Sequence, residues 1–299
     1  MIVRVLGSAA GGGVPQWNCS CANCGAARAG TAPRRTQSSL AVSSDGRRWL
    51  LLNCSPDVAT QIEAFAPLHP AAGRVTPISD VFLTDANLDH IGGLAILRQA
   101  TQPLRIWSSR VVREIAAAQP SFAQFAAAPH VWFDVPLDDE SPIRDGGGLD
   151  AGLEVRAICV PGTTPGYDGR RVVNGSIVAY ELLNRGSERR LLFAPVFAAI
   201  GETLRAAIAR AAVAFLDGSF YTEEELQGAN PGGRRARAMG HQPVGGPGGT
   251  LEQLGTVKAR VYFTHVNNTN PMLDTGSQAF REVRARGAEI AYDGMELTL

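Results

Sequence analysis

Residues 80–84, Asp-Val-Phe-Leu-Thr, read as a short strand apolar enough to be buried, and they run directly into the polar loop Asp85-Ala-Asn-Leu-Asp89-His90 and then Ile-Gly-Gly93. A strand of this kind cannot stop in its own core, so its end delivers carboxylates and an imidazole to an edge of a sheet. The pattern recurs. Residues 212–216 form an apolar run that ends at Asp217, and residues 260–264 form another that ends at His265. Helical spacing intervenes at 56–65, 92–99, 109–118, 201–211 and 278–286, and further strands are expected at 2–6, 38–43, 49–53, 104–107, 153–160, 176–182 and 191–194. Ser44-Asp45-Gly46 supplies a hairpin turn between two of these, and the last residues read as a short β hairpin. Strands that alternate with helices and end in polar loops predict a layered α/β sandwich.

No boundary or fixed-period repeat divides the 299 residues, so a single domain over 1–299 is expected. Its 45% hydrophobic content suffices for a sizeable core. Lys+Arg and Asp+Glu both number 28, which leaves no bulk charge to draw the chain to nucleic acid or an anionic membrane. No run approaches the ~18–20 apolar residues of a spanning helix, and the N-terminus lacks the pattern of a secretory signal. The expected compartment is the cytoplasm. Residues 228–249, rich in Gly, Pro and Arg, read as a mobile loop or lid.

Cys19, Cys21 and Cys24 fall within six residues. Three soft ligands at C-x-C-x-x-C spacing can wrap one tetrahedral Zn²⁺, here in a structural role that pins the Gly-rich loop 7–13. No other Cys or His lies nearby to complete the site. Cys54 and Cys159 sit in strand contexts and read as buried small hydrophobes. His69 and His130 have no supporting context and read as surface or turn residues.

The loop after residue 84 resembles the metallo-β-lactamase superfamily, which carries H-x-H-x-D-H after a strand, followed by a glycine-opened helix. Here Asp85 and Asn87 replace the two leading histidines, while Asp89 and His90 remain. The resemblance implies an αββα sandwich, two mixed sheets flanked by helices. It also implies that Thr163, in Pro161-Gly-Thr-Thr, stands where a ligand histidine would be, that Val196 replaces a bridging aspartate, and that His265 supplies the last ligand. The surviving Asp89, His90 and His265 are two histidines and a carboxylate, the ligand type of non-haem Fe(II) oxygenases. Asp217 follows another strand and is a candidate for the same cleft. His241 occupies the position of an active-site histidine in phosphodiesterase members and is a candidate acid or base with Asp217. Some of those members complete the thiol zinc with a histidine three residues beyond the last metal histidine. That position is Asn268 here, so the fourth ligand stays open between Asn268, His241 and water.

Within the superfamily, phrases along the whole chain resemble the coenzyme PQQ synthesis B family: Gly-Ser-Ala-Ala-Gly-Gly-Gly-Val-Pro-Gln-Trp-Asn-Cys at 7–19, Arg34-Arg35-Thr-Gln-Ser-Ser, the loop at 84–93, Asp217-Gly-Ser-Phe-Tyr, Met239-Gly-His-Gln-Pro-Val and Thr264-His-Val-Asn-Asn-Thr-Asn-Pro. That resemblance implies a part in making pyrroloquinoline quinone (PQQ) from a Glu- and Tyr-bearing precursor. Two functions follow from it: an Fe²⁺-dependent hydroxylase acting on the precursor tyrosine, or a non-catalytic carrier for PQQ or its precursor. A residual hydrolase is disfavoured by Asp85, Asn87, Thr163 and Val196. Arg34, Arg35 and the arginines of 234–237 are candidates to meet substrate carboxylates. The expected cofactors are Zn²⁺ at the thiols and Fe²⁺ or another divalent ion at Asp89, His90 and His265. The expected partner is the small-molecule or dipeptide precursor, with monomer and homodimer both open.

Overall fold

The apolar runs pair into two mixed sheets. The structure, a computed structural model, describes residues 1–127, 129–138, 152–229 and 232–299. The first sheet holds β1 (Ile2–Gly7), β2 (Ser39–Ser43), β3 (Trp49–Leu52), β4 (Ile78–Phe82), β5 (Arg105–Ser108) and β6 (Val131–Asp134). The second holds β7 (Leu153–Cys159), β8 (Val178–Asn184), β9 (Arg189–Ala194), β10 (Val213–Asp217), β11 (Arg260–Thr264) and β12 (Glu289–Ile290). A last strand, β13 (Glu296–Thr298), returns to the first sheet beside β1. Each sheet is antiparallel over its first three strands in chain order, then parallel: β3 to β6 in one and β9 to β12 in the other. Parallel strands bring their carboxyl ends to one edge, where open α/β sheets place their ligands.

The period-two alternation of each strand sorts its side chains between two cores. Val213 and Phe215 of β10 face the interior between the sheets, with Leu50 and Leu52 of β3 and Tyr180 of β8. Ala214 and Leu216 face outward, against the helices. Those helices are α1 (Ala22–Ala29), α2 (Val58–Glu63), α3 (Leu88–Ile91), α4 (Leu94–Leu97), α5 (Arg110–Ala117), α6 (Pro120–Ala123), α7 (Glu202–Arg210), α8 (Glu225–Ala229), α9 (Thr250–Leu254) and α10 (Gln278–Ala285). α2 and α5 cover the first sheet through Val58, Val112, Ile115 and Ala116. α7 and α10 cover the second through Leu204, Ala207, Ile208 and Val283. Buried charge inside this frame is paired. Glu181 of β8 meets Arg210 at 2.6 Å, and Asp80 of β4 meets Arg105 at 2.6 Å and the Trp107 indole N–H at 2.7 Å.

Three sequence expectations need correction. The last residues are not a hairpin: β12 lies parallel to β11, whereas β13 lies antiparallel to β1. Gly294 N–H donates to Val5 O at 2.9 Å as the chain crosses between sheets, so the two terminal strands cover one edge of each. The helix expected at 92–99 is split into α3 and α4 around Gly92 and Gly93. A Cβ on Gly93 would lie 2.2 Å from Ser55 O and 2.7 Å from the Cys54 sulfur, so only glycine permits that close approach. Helix α1 and strand β6 were not anticipated. Among the described residues, no helix is long and apolar enough to cross a membrane. Of the loop 228–249, residues 230 and 231 lie outside the described residues, while Ala236, Gln242 and Val244 are buried in the wall of the second sheet's edge.

Candidate metal centres

The sheet edges meet where β4 and β11 end. Val178 N–H donates to Thr84 O at 2.8 Å, and Val266 N–H donates to Ser8 O at 2.9 Å, which ties the two sheets together at that edge. As a result His265 Nε2 lies 3.1 Å from Asp89 Oδ2, and His90 Nε2 lies 3.6 Å from the same oxygen. The His90 and His265 rings approach to 5.0 Å between centroids, nearly perpendicular. His265 adopts φ 56°, a left-handed turn at the strand end that a histidine adopts only under constraint.

The substituted position Asp85 has an evident task. Its Oδ2 lies 2.7 Å from His90 Nδ1, and its Oδ1 accepts from the Asn87 backbone and side-chain N–H groups at 2.8 Å each. A carboxylate only accepts, so Nδ1 carries a proton and Nε2 is the nitrogen turned towards Asp89. Burial opposes a charged His90, but Asp85 and Asp89 outweigh it and hold the imidazolium up to about 9. Burial and the neighbouring His90 push His265 the other way, despite Asp89.

A second network backs the first. Asp217, at the end of β10, accepts from the Ser219 backbone N–H at 2.9 Å and from its hydroxyl at 2.7 Å, and lies 2.8 Å from His241 Nδ1. Ser219 Oγ also lies 2.8 Å from His265 Nδ1. Asp217, His241 and His265 are thus close enough to hold an ion, yet their mutual approaches are made by Nδ1 atoms already engaged in hydrogen bonds. This chemistry is a relay that orients two imidazoles. Burial opposes the charged His241, and Asp217 overcomes it and raises its affinity for a proton.

A cavity of about 240 Å³ opens onto Asp89, His241 and His265. Its lining also includes Asn87, Thr163 and Val196, the positions where the superfamily resemblance expected further ligands. The residues present therefore fit one ion and not two. His90 Nε2 is buried with no hydrogen-bond partner among the described residues, and it faces a carboxylate and a second imidazole nitrogen. Without an ion Nε2 carries a proton near neutral pH, and a divalent ion would take that proton's place between the carboxylate and the second imidazole.

The thiols form the other centre. Cys21 precedes α1 and Cys24 lies in its first turn, so the helix start gathers the three sulfurs. The Asn268 side-chain amide sits among them, its Nδ2 at 3.0 Å from Cys19, 3.5 Å from Cys21 and 3.3 Å from Cys24. Turning the amide over would present its oxygen instead. Of the alternatives for a fourth ligand, His241 is committed to Asp217, and Asn268 is the residue at the thiols.

The arginines named from the sequence do not line the cavity at Asp89 and His265. Arg35 donates to Ser8 Oγ at 2.9 Å and to Ala291 O, and Arg34 is exposed outside the cavity. Arg237 pairs with Glu223 at 2.6 Å and Arg235 lies 3.7 Å from Glu224. Cys54 is buried, but Cys159 is half-buried and its thiol lies 2.9 Å from Asn174 Oδ1, so it is not a plain hydrophobe. His69 is exposed and His130 half-buried. Ser219 and Arg170, both lining the cavity, were missed. Ser219 sits in the Asp217-Gly-Ser phrase, whereas nothing in the run Gly169-Arg170-Arg171 marks which arginine faces the site.

Comparison with known proteins gives the family and the fold. The profile of the Beta-lactamase superfamily domain matches residues 48–266. Relatives described as coenzyme PQQ synthesis protein B, from Methylococcus capsulatus and Azoarcus sp., are each 40% identical with both chains covered in full. The chain belongs to the coenzyme PQQ synthesis protein B family of the β-lactamase superfamily. Its fold is accordingly the metallo-β-lactamase sandwich. A solved Zn²⁺-bound PqqB from Methylobacterium extorquens superposes with a TM-score of 0.91 at 35% identity, covering both chains fully. A diphosphatase of the PhnP family shares the fold at TM-score 0.68 and 19% identity, covering 100% of this chain and 97% of its own.

Proposed function

We propose that this chain acts in PQQ biosynthesis as an oxygenase that hydroxylates the tyrosine ring of a precursor derived from Glu and Tyr. The observation that carries the reading is the approach of Asp89, His90 and His265 ligand atoms to within 4.8 Å of one another, beside a cavity that Asp89 and His265 line together with Asn87, Thr163 and Val196. The role in PQQ synthesis carried by the family's name supplies the pathway. Fe²⁺ is the ion this reading assigns to Asp89, His90 and His265, because two histidines and a carboxylate with open positions are the ligands of O₂-activating iron. When bound, the ion supplies the O₂ activation that no protein side chain offers.

Overall, one oxygen atom of O₂ replaces a ring hydrogen as hydroxyl, and the other leaves as water with two electrons and two protons from an external reductant. The protein's own contribution is positional. Asp85 fixes the ring and tautomer of His90. Asp217, through Ser219, fixes His265, and directly it fixes His241. His241 then presents its other nitrogen on the cavity wall as the group that takes up or returns a proton. The thiols and Asn268 would hold Zn²⁺ away from turnover, bracing the loop that carries Gly11 into the cavity.

Protein purified without air, loaded with Fe²⁺ and given the precursor dipeptide and a reductant, is expected to consume O₂ in step with hydroxylated product. His90→Ala and His265→Ala are expected to abolish this. Tight ligand binding with no O₂ uptake would instead favour the carrier function.

A further inference from the structure

Substrate recognition needs a charge that the first-named arginines do not supply. Arg170 is the sole arginine or lysine among the described residues lining the metal cavity. Its guanidinium makes no hydrogen bond or ion pair among the described residues, whereas its neighbour Arg171 is paired with Asp168 at 2.6 Å. Among the described residues Asp89 is the only carboxylate on the cavity wall, and it is committed to His90 and His265.

The loop that presents Arg170 is built for the task. Thr164 N–H donates to Arg171 O at 2.9 Å, and Arg171 N–H donates to Thr164 Oγ1 at 2.9 Å, closing residues 164–171 on themselves. Tyr167 Oη donates to Ala86 O, anchoring that loop to the one bearing Asp85 and His90. Within it Gly169 (φ 81°) and Arg170 (φ 53°) both turn left-handed. A non-glycine residue there costs about 1 kcal/mol or more. The guanidinium folds over Gly166, where a Cβ would stand 3.1 Å from Nη2.

The cavity also extends. Gly11, Phe220, Met239 and Asn267 line both it and a neighbouring space of about 680 Å³ that runs to Cys19 and Cys21, and no arginine or lysine among the described residues lines that space. A ligand spanning the two meets one cation, the exposed Arg170, which lines the metal cavity and not the space that runs to the thiols.

We propose that Arg170 is a carboxylate-binding subsite that orients an acidic substrate over the Asp89–His90–His265 centre. This rests on the reading that the cavity takes a Glu- and Tyr-bearing precursor. The carboxylate is either the glutamyl side chain or the C-terminal group, and the probes separate the two.

Calorimetric titration of the metal-loaded protein without O₂ tests this, using the dipeptides Glu-Tyr, Gln-Tyr and Glu-Tyr amide. Wild type is expected to bind Glu-Tyr roughly ten- to a hundredfold more tightly than the one analogue that lacks the carboxylate read by Arg170. Arg170→Gln is expected to bind all three alike with an unchanged melting temperature. Arg170→Lys should fall between, because it keeps the charge and loses the planar fork. Gly166→Ala should weaken Glu-Tyr by crowding the guanidinium. Equal affinity of wild type and Arg170→Gln for Glu-Tyr, or no discrimination by wild type, overturns the proposal. Discrimination that depends on Arg170 in protein that never consumes O₂ sinks the oxygenase reading and leaves the subsite standing.

Discussion

The thiol centre and the acid-imidazole centre share one loop and little else. His265 and Asn268 are three residues apart after β11, yet one faces Asp89 and the other the cysteines. The thiol donors lie within six residues at a helix start, and an amide fills the space between their sulfurs. The acid-imidazole donors lie 176 residues apart in sequence, and a cavity opens beside them. Soft, local and plugged is the pattern of a structural zinc; hard, distant and open is that of a reactive ion. The difference predicts that damage to the first centre registers in stability and damage to the second in turnover.

The largest effect should follow Cys24→Ala. Cys24 is fully buried in the first turn of α1, so its loss removes both a ligand and one contact of the helix with Asn268, leaving the Asn23 bonds to Asn268 O and Asn270 O. One ion per chain should disappear from elemental analysis, and the melting temperature should fall by about 5–15 °C, as expected for several kcal/mol in a chain of this size. An unchanged melting temperature would erase the distinction. The second centre is tested by His265→Asn, chosen because asparagine tolerates the φ of 56°. O₂ uptake should fall by two orders of magnitude or more while the melting temperature moves by a degree or two. A collapse in stability of the same size as for Cys24→Ala would place His265 in the framework instead.

That contrast also explains how much could be read before the fold was known. The thiols declare themselves by spacing, because a helix start converts C-x-C-x-x-C into proximity without help from the rest of the chain. Asp217 and His265 were legible as polar residues ending apolar strands, since parallel pairing places such ends side by side, as the Asp217–Thr264 register does. What remained hidden is what a side chain does after its backbone is placed. Asp85 reads as a lost ligand, yet its carboxylate turns inward to His90. Arg35 has the composition of a substrate clamp, yet burial beside Asp293 commits it to the framework. Arg170 and Arg171 are adjacent and identical, and only the closure of their loop decides which one is spent on Asp168. The misread C-terminal hairpin has the same origin, because two short strands can each satisfy a different sheet edge.

Asp85 sharpens the comparison at intermediate scale. Asp85→Asn keeps the shape, and its amide oxygen can still accept from His90, but the charge that favours a proton on Nδ1 is gone. Metal affinity at the cavity should fall ten- to a hundredfold, read by competition with a chelator, while the thiol-bound zinc stays in place. Loss of both ions together would mean that the two centres are coupled through the loop at 265–268.

The smallest effect concerns Glu225, which holds that loop from the thiol side. Its carboxylate accepts from Thr269 Oγ1 at 2.7 Å and from Tyr221 N–H at 2.7 Å, yet burial dominates and pushes its pKa up to about 7 from an ordinary 4.5. Between those values the folded chain holds a proton that the unfolded chain has released. Glu225 therefore contributes its full stability below about pH 4.5, and the contribution is lost as pH rises towards 7. Glu225→Gln cannot titrate. Between pH 5 and pH 8 the wild type should lose more stability than the variant, by on the order of 2 kcal/mol in matched denaturant titrations. Parallel pH profiles would show that the carboxylate stays charged in the fold. In that case the loop linking the two centres rests on the hydrogen bond of an ionised Glu225 to Thr269.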